Sequence, residues 1–198
     1  SVPPGFCLTA ALFETAVERS PGIREAIARV DAWSPEEPGL DAATAQLRSL
    51  IETTNLPTEL VATISAGLGA TQPPTGWAVR SSAISEDSPT ASFAGVHESF
   101  LALRDLQTVL DAVRRCWASA FGERAVAYRR QQGLPMRAVR MAVVVQQMAA
   151  AEVSGVAFTA DPVSGDRRVV AIEACQGTGE ALVSGRVVPQ RMRLCDGD

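Results

Sequence analysis

The spacing of apolar residues changes along this chain, and the change limits it to a fold that combines helices with a separate sheet. Between residues 40 and 68, Leu47, Ile51, Leu60 and Ile64 recur at the interval of a helix face. The last third instead contains short runs rich in Val, Ala, Ile and Phe, separated by turn residues. Helices first and strands last are typical of an α+β arrangement rather than a doubly wound sheet. We predict strands over residues 140–148, 155–160 and 169–174.

Turn-forming residues that interrupt the apolar pattern predict where the other helices and strands begin and end. The sequence Ser20-Pro21-Gly22 divides a helical stretch, residues 10–30, with Ser20 as the N-cap and Pro21 at the first helical position. The strongest break in the first half is residues 67–76, after which Trp77-Ala78-Val79 begins a strand that runs into a long polar loop. Further predictions are a strand over 99–103, helices over 106–117 and 123–132, and a hairpin loop over 161–166.

Charge and hydropathy exclude two classes of partner. The formal net charge is −4 and the pI is about 5.1, so no general basic surface is available for nucleic acid or an anionic membrane. The apolar run from Met141 to Val145 is ended by Gln146 and Gln147, whereas a spanning helix needs roughly 20 apolar residues. No secretory signal is visible, so we expect a cytoplasmic protein.

The residue types that are absent restrict the chemistry further. All 18 positive residues are arginine, which excludes a Walker loop, a Schiff-base lysine and a lysine general base within these residues. His97 is the single histidine, and a lone histidine is more typical of a loop or packing position than of a phosphate carrier. No C-x-x-C spacing occurs, so we expect no structural zinc and four free thiols, on Cys7, Cys116, Cys175 and Cys195.

Two loops have the composition of a phosphate site. Residues 80–87 begin with Arg80, Ser81 and Ser82 at the end of a predicted strand, and a guanidinium can bind two phosphate oxygens at once. Residues 92–98 hold Gly95 among small neighbours, where exposed backbone amides can cover a phosphate. The pattern alone favours ordinary surface turns for both loops.

Other anion-binding candidates have simpler interpretations. The segment Gln176-Gly177-Thr178-Gly179-Glu180 lacks the third glycine of a dinucleotide fingerprint and the Lys-Ser/Thr of a P-loop. We interpret it as a glycine turn after a strand, with Glu180 in the first turn of the next element. The pairs Arg129-Arg130 and Arg167-Arg168 are interpreted as a solvated helix face and a hairpin tip.

Short motifs nevertheless follow one another in a distinctive order: Val2-Pro3-Pro4-Gly5-Phe6, Ala78-Val79-Arg80-Ser81-Ser82-Ala83, Ala91-Ser92-Phe93-Ala94-Gly95, Cys116-Trp117-Ala118-Ser119, Val143-Val144-Val145-Gln146-Gln147-Met148, Ser154 to Pro162, and Gly179 to Gly185. In order and spacing they resemble the ATP-grasp domain shared by phosphoenolpyruvate synthases, pyruvate phosphate dikinases and rifampin phosphotransferases. The resemblance covers nearly the whole chain. Residues 5–9, 47–60 and 180–185 are more similar to the rifampin phosphotransferase branch than to phosphoenolpyruvate synthase.

This resemblance implies an ATP-grasp fold, with residues 1–146 as the first subdomain and residues 147–198 as the beginning of the second. It implies that ATP yields AMP and phosphate while its β-phosphoryl group passes through a histidine, on a separate swivelling domain, to an acceptor hydroxyl of a rifamycin. Residue roles come from the same resemblance. Arg80 is the catalytic residue that holds the phosphates, Ser81 lies beside it, the Gly95 loop covers them, Gln147 and Met148 meet adenine, and Thr159 and Glu180 line the cleft.

The resemblance also implies parts that these 198 residues do not contain. They are a phosphate-binding lysine before Val2, magnesium-binding acids with a Gln-x-Arg-Pro strand beyond residue 198, a phosphohistidine domain and an acceptor domain. We therefore expect magnesium ligands mostly outside this chain, and no activity from the chain alone. Two alternatives remain: a phosphoenolpyruvate synthase, whose acceptor is pyruvate, and a non-catalytic remnant that acts as a binding module. Ala102 stands where the family commonly has Asn.

Overall fold

A computed structural model describes residues 2–34, 38–69, 73–83 and 98–195, which divide into two compact units. The first unit ends at Met148 and the second begins at Ala149. The sequence predicts a subdomain boundary after residue 146. Gln147 and Met148 belong to the first compact unit, where the Gln147 amide donates to the Pro4 carbonyl and the Met148 amide to the Gly76 carbonyl, each at 2.9 Å.

The first half of unit 1 is a strand followed by four helices. The helices predicted before residue 70 are confirmed, with Pro21 at the start of its helix. Ser20 occupies the N-cap position, but its side chain makes no capping hydrogen bond. The first strand was not predicted, because its four residues are too few to show a period. The elements are β1 (Gly5–Leu8), α1 (Ala10–Glu18), α2 (Pro21–Ala32), α3 (Leu40–Glu52) and α4 (Thr58–Leu68).

The second half of unit 1 supplies the rest of its sheet. Its elements are β2 (Trp77–Ala83), β3 (Ser99–Leu103), α5 (Leu106–Ser119), α6 (Glu123–Gln131), a 3₁₀ turn (Met136–Ala138) and β4 (Met141–Gln147). The four strands are antiparallel, in the order β1-β4-β2-β3. Asp105 caps α5, since its carboxylate accepts the Thr108 amide at 2.8 Å.

The hydrophobic core lies between one face of this sheet and the helices. Val79 of β2 and Val145 of β4 face each other across the ladder, and both side chains are 0% exposed. Phe13 of α1 and Trp117 of α5 pack in the same core, with ring centroids 5.7 Å apart. We call the opposite side of the four-stranded sheet the outer face.

The structure corrects the interpretation of Arg129 and Arg130 as a solvated face of α6. Arg129 is buried rather than solvated, and its guanidinium donates to the Pro135 carbonyl at 2.9 Å. Burial lowers the pKa of Arg129 from the ordinary arginine value. Arg130 donates to the Trp33 carbonyl at 2.7 Å. Both side chains therefore connect α6 to neighbouring loops, and the pair does not form an anion site.

Unit 2 is a three-stranded antiparallel sheet with one short helix. Its elements are β5 (Val153–Phe158), β6 (Val169–Gln176), α7 (Glu180–Val183) and β7 (Gln190–Cys195), with strand order β5-β6-β7. The β5–β6 hairpin and its loop confirm the prediction, and helices with antiparallel sheets confirm the α+β class. One sheet face is apolar, with Val153, Met192 and Leu194 between 49% and 64% exposed.

Two glycines in unit 1 differ in what an added methyl group would meet. At Gly5 a Cβ would lie 2.6 Å from the Val145 carbonyl oxygen and 2.9 Å from the Gln146 Cα, whereas at Gly22 nothing lies within 4 Å. We expect Gly5→Ala to lower the free energy of unfolding by about 1–3 kcal/mol through overpacking. We expect Gly22→Ala to raise it by about 0.4–1 kcal/mol, because alanine restricts the unfolded chain.

Chemical denaturation followed by tryptophan fluorescence checks both changes. The three tryptophans, Trp33, Trp77 and Trp117, all belong to unit 1, so the signal reports this unit. Equal stability of Gly5→Ala and the unsubstituted chain would contradict the close approach of β1 to β4.

Candidate functional site

The outer face takes its side chains from the ladder between β2 and β4. This ladder is regular over seven residue pairs, from Trp77 opposite Gln147 to Ala83 opposite Met141. Because side chains alternate along a strand, the buried position of Val79 places its neighbour Arg80 on the outer face. Arg80 is exposed, and no described carboxylate lies within ion-pair distance of it.

A row of four residues crosses the outer face at Arg80. Val144 of β4 lies opposite Arg80 on one side, and Ser99 of β3 lies opposite it on the other. Cys7 of β1 follows beyond Val144. Cys7 and Arg80 are two strand spacings apart, about 10 Å. The row is thus a central cation flanked by small or apolar side chains, which leaves room for an anion to approach the guanidinium.

Ser81 has a different environment from Arg80. As the next residue of β2, it points to the core side of the sheet. Its amide and its hydroxyl both donate to the Glu98 carbonyl at 3.4 Å. The structure therefore does not bring the Ser81 hydroxyl beside the Arg80 guanidinium, although the two residues are adjacent in sequence.

The two glutamines at the end of β4 are separated in the same way. Gln146 pairs with Ala78 and lies on the outer face, two positions along β4 from Val144, about 7 Å. Its amide group donates to the Pro3 carbonyl at 2.9 Å. Gln147 pairs with buried Trp77 and lies on the core side. Gln146 was missed at the sequence level, although counting two residues along the strand from Val144 identifies it.

Met148 connects the end of β4 to the turn before β2 and to β3. Its carbonyl accepts the Thr75 hydroxyl, and its sulfur accepts the Ala102 amide at 2.9 Å. Ala102 has φ of 58°, the only positive value at a non-glycine position among described residues. Asparagine adopts this conformation more readily than alanine does. This agrees with the residue that the resembling family commonly has there.

The predicted residues of unit 2 lie apart from each other. Thr159 is exposed directly after β5, and Glu180 begins α7 and pairs with Arg186. Gly179 packs near Ser154 at the start of β5, so roughly the length of this strand, about 17 Å, separates Glu180 from Thr159. Gly177 has φ of 78° and forms the turn that leaves β6, as predicted. Gly95 and His97 lie outside the described residues.

The hairpin loop of unit 2 is organised around Asp161. This side chain is 6% exposed and accepts the Val163 and Ser164 amides, each at 2.9 Å, while Arg193 lies 2.5 Å away. The hydrogen bonds from Ser164 and Val163 and the charge of Arg193 lower the pKa of Asp161 below the ordinary aspartate value. The carboxylate is thus a structural centre of the loop, with both of its oxygens engaged.

A separate cavity of about 450 Å³ lies among α1, α2 and the 3₁₀ turn. Its floor includes Phe13 and Ile27, and Glu14 pairs with Arg140 at its rim. Phe13 belongs to the core, so this cavity is on the helix side of the sheet, away from Arg80. Its size suits a small ligand, but its charged rim residues are largely engaged with each other.

Residues 2–34, 38–69, 73–83 and 98–195 contain neither a cluster of metal-binding side chains nor a membrane-spanning helix. In them no group of three or more His, Cys, Asp or Glu side chains is arranged to hold a metal ion. No helix within these ranges is long and apolar enough to cross a membrane. All four cysteines are free.

Comparison with known proteins gives the family. Residues 1–197 match the pyruvate phosphate dikinase AMP/ATP-binding domain, and the chain belongs to this family. It is 43% identical over its full length to the rifampicin phosphotransferase of Streptomyces sviceus, and 35% identical over 99% of its length to that of Bacillus subtilis. It is 40% identical over 95% of its length to a probable phosphoenolpyruvate synthase of Methanothermobacter thermautotrophicus. The chain spans 23%, 23% and 28% of these relatives.

The Asp161 loop gives a pH-dependent prediction for unit 2. A carboxylate with a depressed folded-state pKa stabilises the fold fully above its unfolded value, near 3.9, and this contribution is lost as the pH falls through the folded value. We expect Asp161→Asn to lower the melting temperature of unit 2 at pH 7, with a difference that shrinks as the solution is acidified below about pH 4.

NMR signals of β5 to β7, followed against temperature at several pH values, measure this difference. Asp161→Asn keeps an oxygen acceptor for the two amides and removes only the charge, whereas Asp161→Ala removes both. A gap between the unsubstituted chain and Asp161→Asn that stays constant down to pH 2 would contradict the role of the charge.

Proposed function

We propose that this chain binds ATP on the outer face of its four-stranded sheet and is the ATP-binding part of a dikinase-type phosphotransferase. The observation that carries the proposal is the position of Arg80. It is an exposed guanidinium at the centre of the row from Cys7 to Ser99, with no described carboxylate to neutralise it. Membership of an AMP/ATP-binding family supports a nucleotide as the anion.

Arginine suits this role because its planar group donates two parallel hydrogen bonds to phosphate oxygens. In phosphoryl transfer the protein mainly positions the phosphates and stabilises the charge that develops on them. Arg80 would hold the ATP phosphates, and Gln146 would offer a polar group about 7 Å along the same face. The assignment of Gly95 to the phosphates, and of Ser81, Gln147, Met148, Thr159 and Glu180 to the nucleotide cleft, remains a prediction.

The reaction we propose for the whole protein converts ATP into AMP and phosphate. The β-phosphoryl group passes to a histidine of another domain and then to an acceptor hydroxyl. Relatives named rifampicin phosphotransferase, at 35–43% identity, favour a rifamycin as the acceptor. The relative named a probable phosphoenolpyruvate synthase, at 40% identity, keeps pyruvate as the second candidate. The domains that bind the acceptor would decide between them.

Magnesium normally neutralises the phosphate charge in such reactions. The described residues gather no group of three or more His, Cys, Asp or Glu side chains that could hold a metal ion. We therefore assign no magnesium-binding role to them. In this proposal the two units are the first ATP-grasp subdomain and the beginning of the second.

The first test is ATP binding to this chain by calorimetry with magnesium present. A sheet face contacts only one side of a nucleotide, so we expect a dissociation constant above about 1 µM. Arg80→Ala should weaken binding at least tenfold, about 1.4 kcal/mol. Arg24→Ala is the matched control, because Arg24 is an exposed arginine of α2 on the helix side. Equal affinity of Arg80→Ala and the unsubstituted chain would refute the proposed site.

The second test concerns turnover. We expect the chain alone to release no AMP from ATP, because a reaction of this type needs the metal and further cations. A chimaera in which these residues replace the matching part of the Streptomyces sviceus relative should release AMP in the presence of rifampicin.

In the chimaera, Arg80→Lys should lower the rate at least tenfold, a barrier change of about 1.4 kcal/mol, because a point charge does not replace two parallel hydrogen bonds. The melting temperature should stay near that of the unsubstituted chimaera, since Arg80 is exposed. Unchanged rates in both Arg80→Lys and Arg80→Ala would assign Arg80 to the surface.

A further inference from the structure

Glu98 contacts residues of the helices α3 and α5 and of the strand β2, and it directly precedes β3. Its carboxylate lies 4.0 Å from the guanidinium of Arg48 on α3 and 3.5 Å from that of Arg115 on α5. Arg115 also lies over the Phe100 ring, with its central carbon 4.3 Å from the ring centroid. Arginines of two separate helices therefore pair with one carboxylate, on the residue immediately before β3.

The main-chain carbonyl of Glu98 makes further contacts, with β2 and with α5. Its carbonyl accepts the amide and the hydroxyl of Ser81 at 3.4 Å, and it is 3.8 Å from the Cys116 thiol. Burial, with the negative charge of Glu98, raises the pKa of Cys116 to about 12. The thiol therefore stays protonated at neutral pH and can donate to the carbonyl. The Glu98 carbonyl thus connects Cys116 of α5 to Ser81 of β2, the residue directly after Arg80.

The strand that follows Glu98 is also held by Phe100 and Leu103, which pack against the core, and by the Ala102 amide, which donates to the Met148 sulfur. β3 is nevertheless only five residues long, its pairing with β2 is irregular between Trp77 and Val79, and it contains Ala102 in a left-handed conformation. A slip of one residue would move every side chain of a strand to the other face. Ser99 would then leave the outer face beside Arg80, and the Ser81 amide would lose its acceptor.

We propose that Glu98 is a positioning residue. Its ion pairs with Arg48 and Arg115 hold the start of β3 in register from the core side, and this register fixes Arg80 and its neighbour Ser99 for nucleotide binding on the outer face. The part of this inference that concerns nucleotide rests on the proposed function. The part that concerns register does not.

The experiment compares Glu98→Gln with Glu52→Gln in the full chain. Glu52 is a matched control, since it also pairs with Arg48, at 3.9 Å, and both glutamate side chains are 37% exposed. Amide hydrogen exchange at Ser81 measures the register, with the Val145 amide of β4 as an internal reference. Calorimetry with magnesium ATP measures the binding site.

We expect Glu98→Gln to accelerate exchange at Ser81 at least threefold and to weaken ATP binding at least threefold, while the Val145 amide does not change. Glu52→Gln should match the unsubstituted chain in both measurements. The melting temperature of unit 1 should change little, because half-exposed ion pairs contribute little to global stability. Arg115→Gln should act in the same direction, and its effect should be smaller in the Glu98→Gln background than in the unsubstituted chain.

Unchanged exchange at Ser81 in Glu98→Gln would overturn the inference, as would equal effects of the Glu52 and Glu98 substitutions. Faster exchange at Ser81 with unchanged, Arg80-dependent ATP affinity would overturn the positioning role. If Arg80→Ala leaves ATP binding intact, the proposed function fails, and exchange at Ser81 alone decides whether Glu98 fixes the register.

Discussion

The regular ladder between β2 and β4 is the constraint on which the rest of unit 1 depends. It fixes seven residue pairs, and with them the side of the sheet on which each side chain lies. Val79 and Val145 meet in the core, where they pack with the helices, and the same register leaves Arg80 and Val144 on the outer face. A shift by one residue would bury a guanidinium and expose two valines, which is too costly to persist. Core packing and the candidate site are therefore set by one register.

The order of the elements could be predicted from the sequence because helix and strand periods are local properties. Both helical stretches before residue 70 and the long strands after residue 140 appear as expected. Of the short edge strands, β3 and β5 were predicted, whereas β1 and β7 were not. β1 has four residues and exists because Gly5 allows a close approach to β4, while β7 is exposed along its length. The burial of Arg129 depends on a contact with Pro135 that helix periodicity does not encode.

The candidate site could be predicted in part. Arg80 follows an apolar run, and its residue type indicates phosphate chemistry. Resemblance to a family does not by itself show which of two adjacent residues shares a face with Arg80. The register does, since Gln146 lies on the outer face and Gln147 on the core side. The role of Glu98 depends on Arg48 and Arg115, which are distant in sequence and meet only in the folded chain. Long-range pairs of this kind leave no periodic signal.

The most direct test of the account is to locate ATP on the chain by NMR, through nuclear Overhauser effects between nucleotide protons and side-chain methyl groups. Val144 lies half-buried on the outer face, whereas Val143 and Val145 are buried in the core. The account predicts contacts to Val144 that disappear in Arg80→Ala, and none to Val143 or Val145. Contacts confined to the cavity lined by Val17 and Ile27 would contradict it, because that cavity is on the helix side of the sheet.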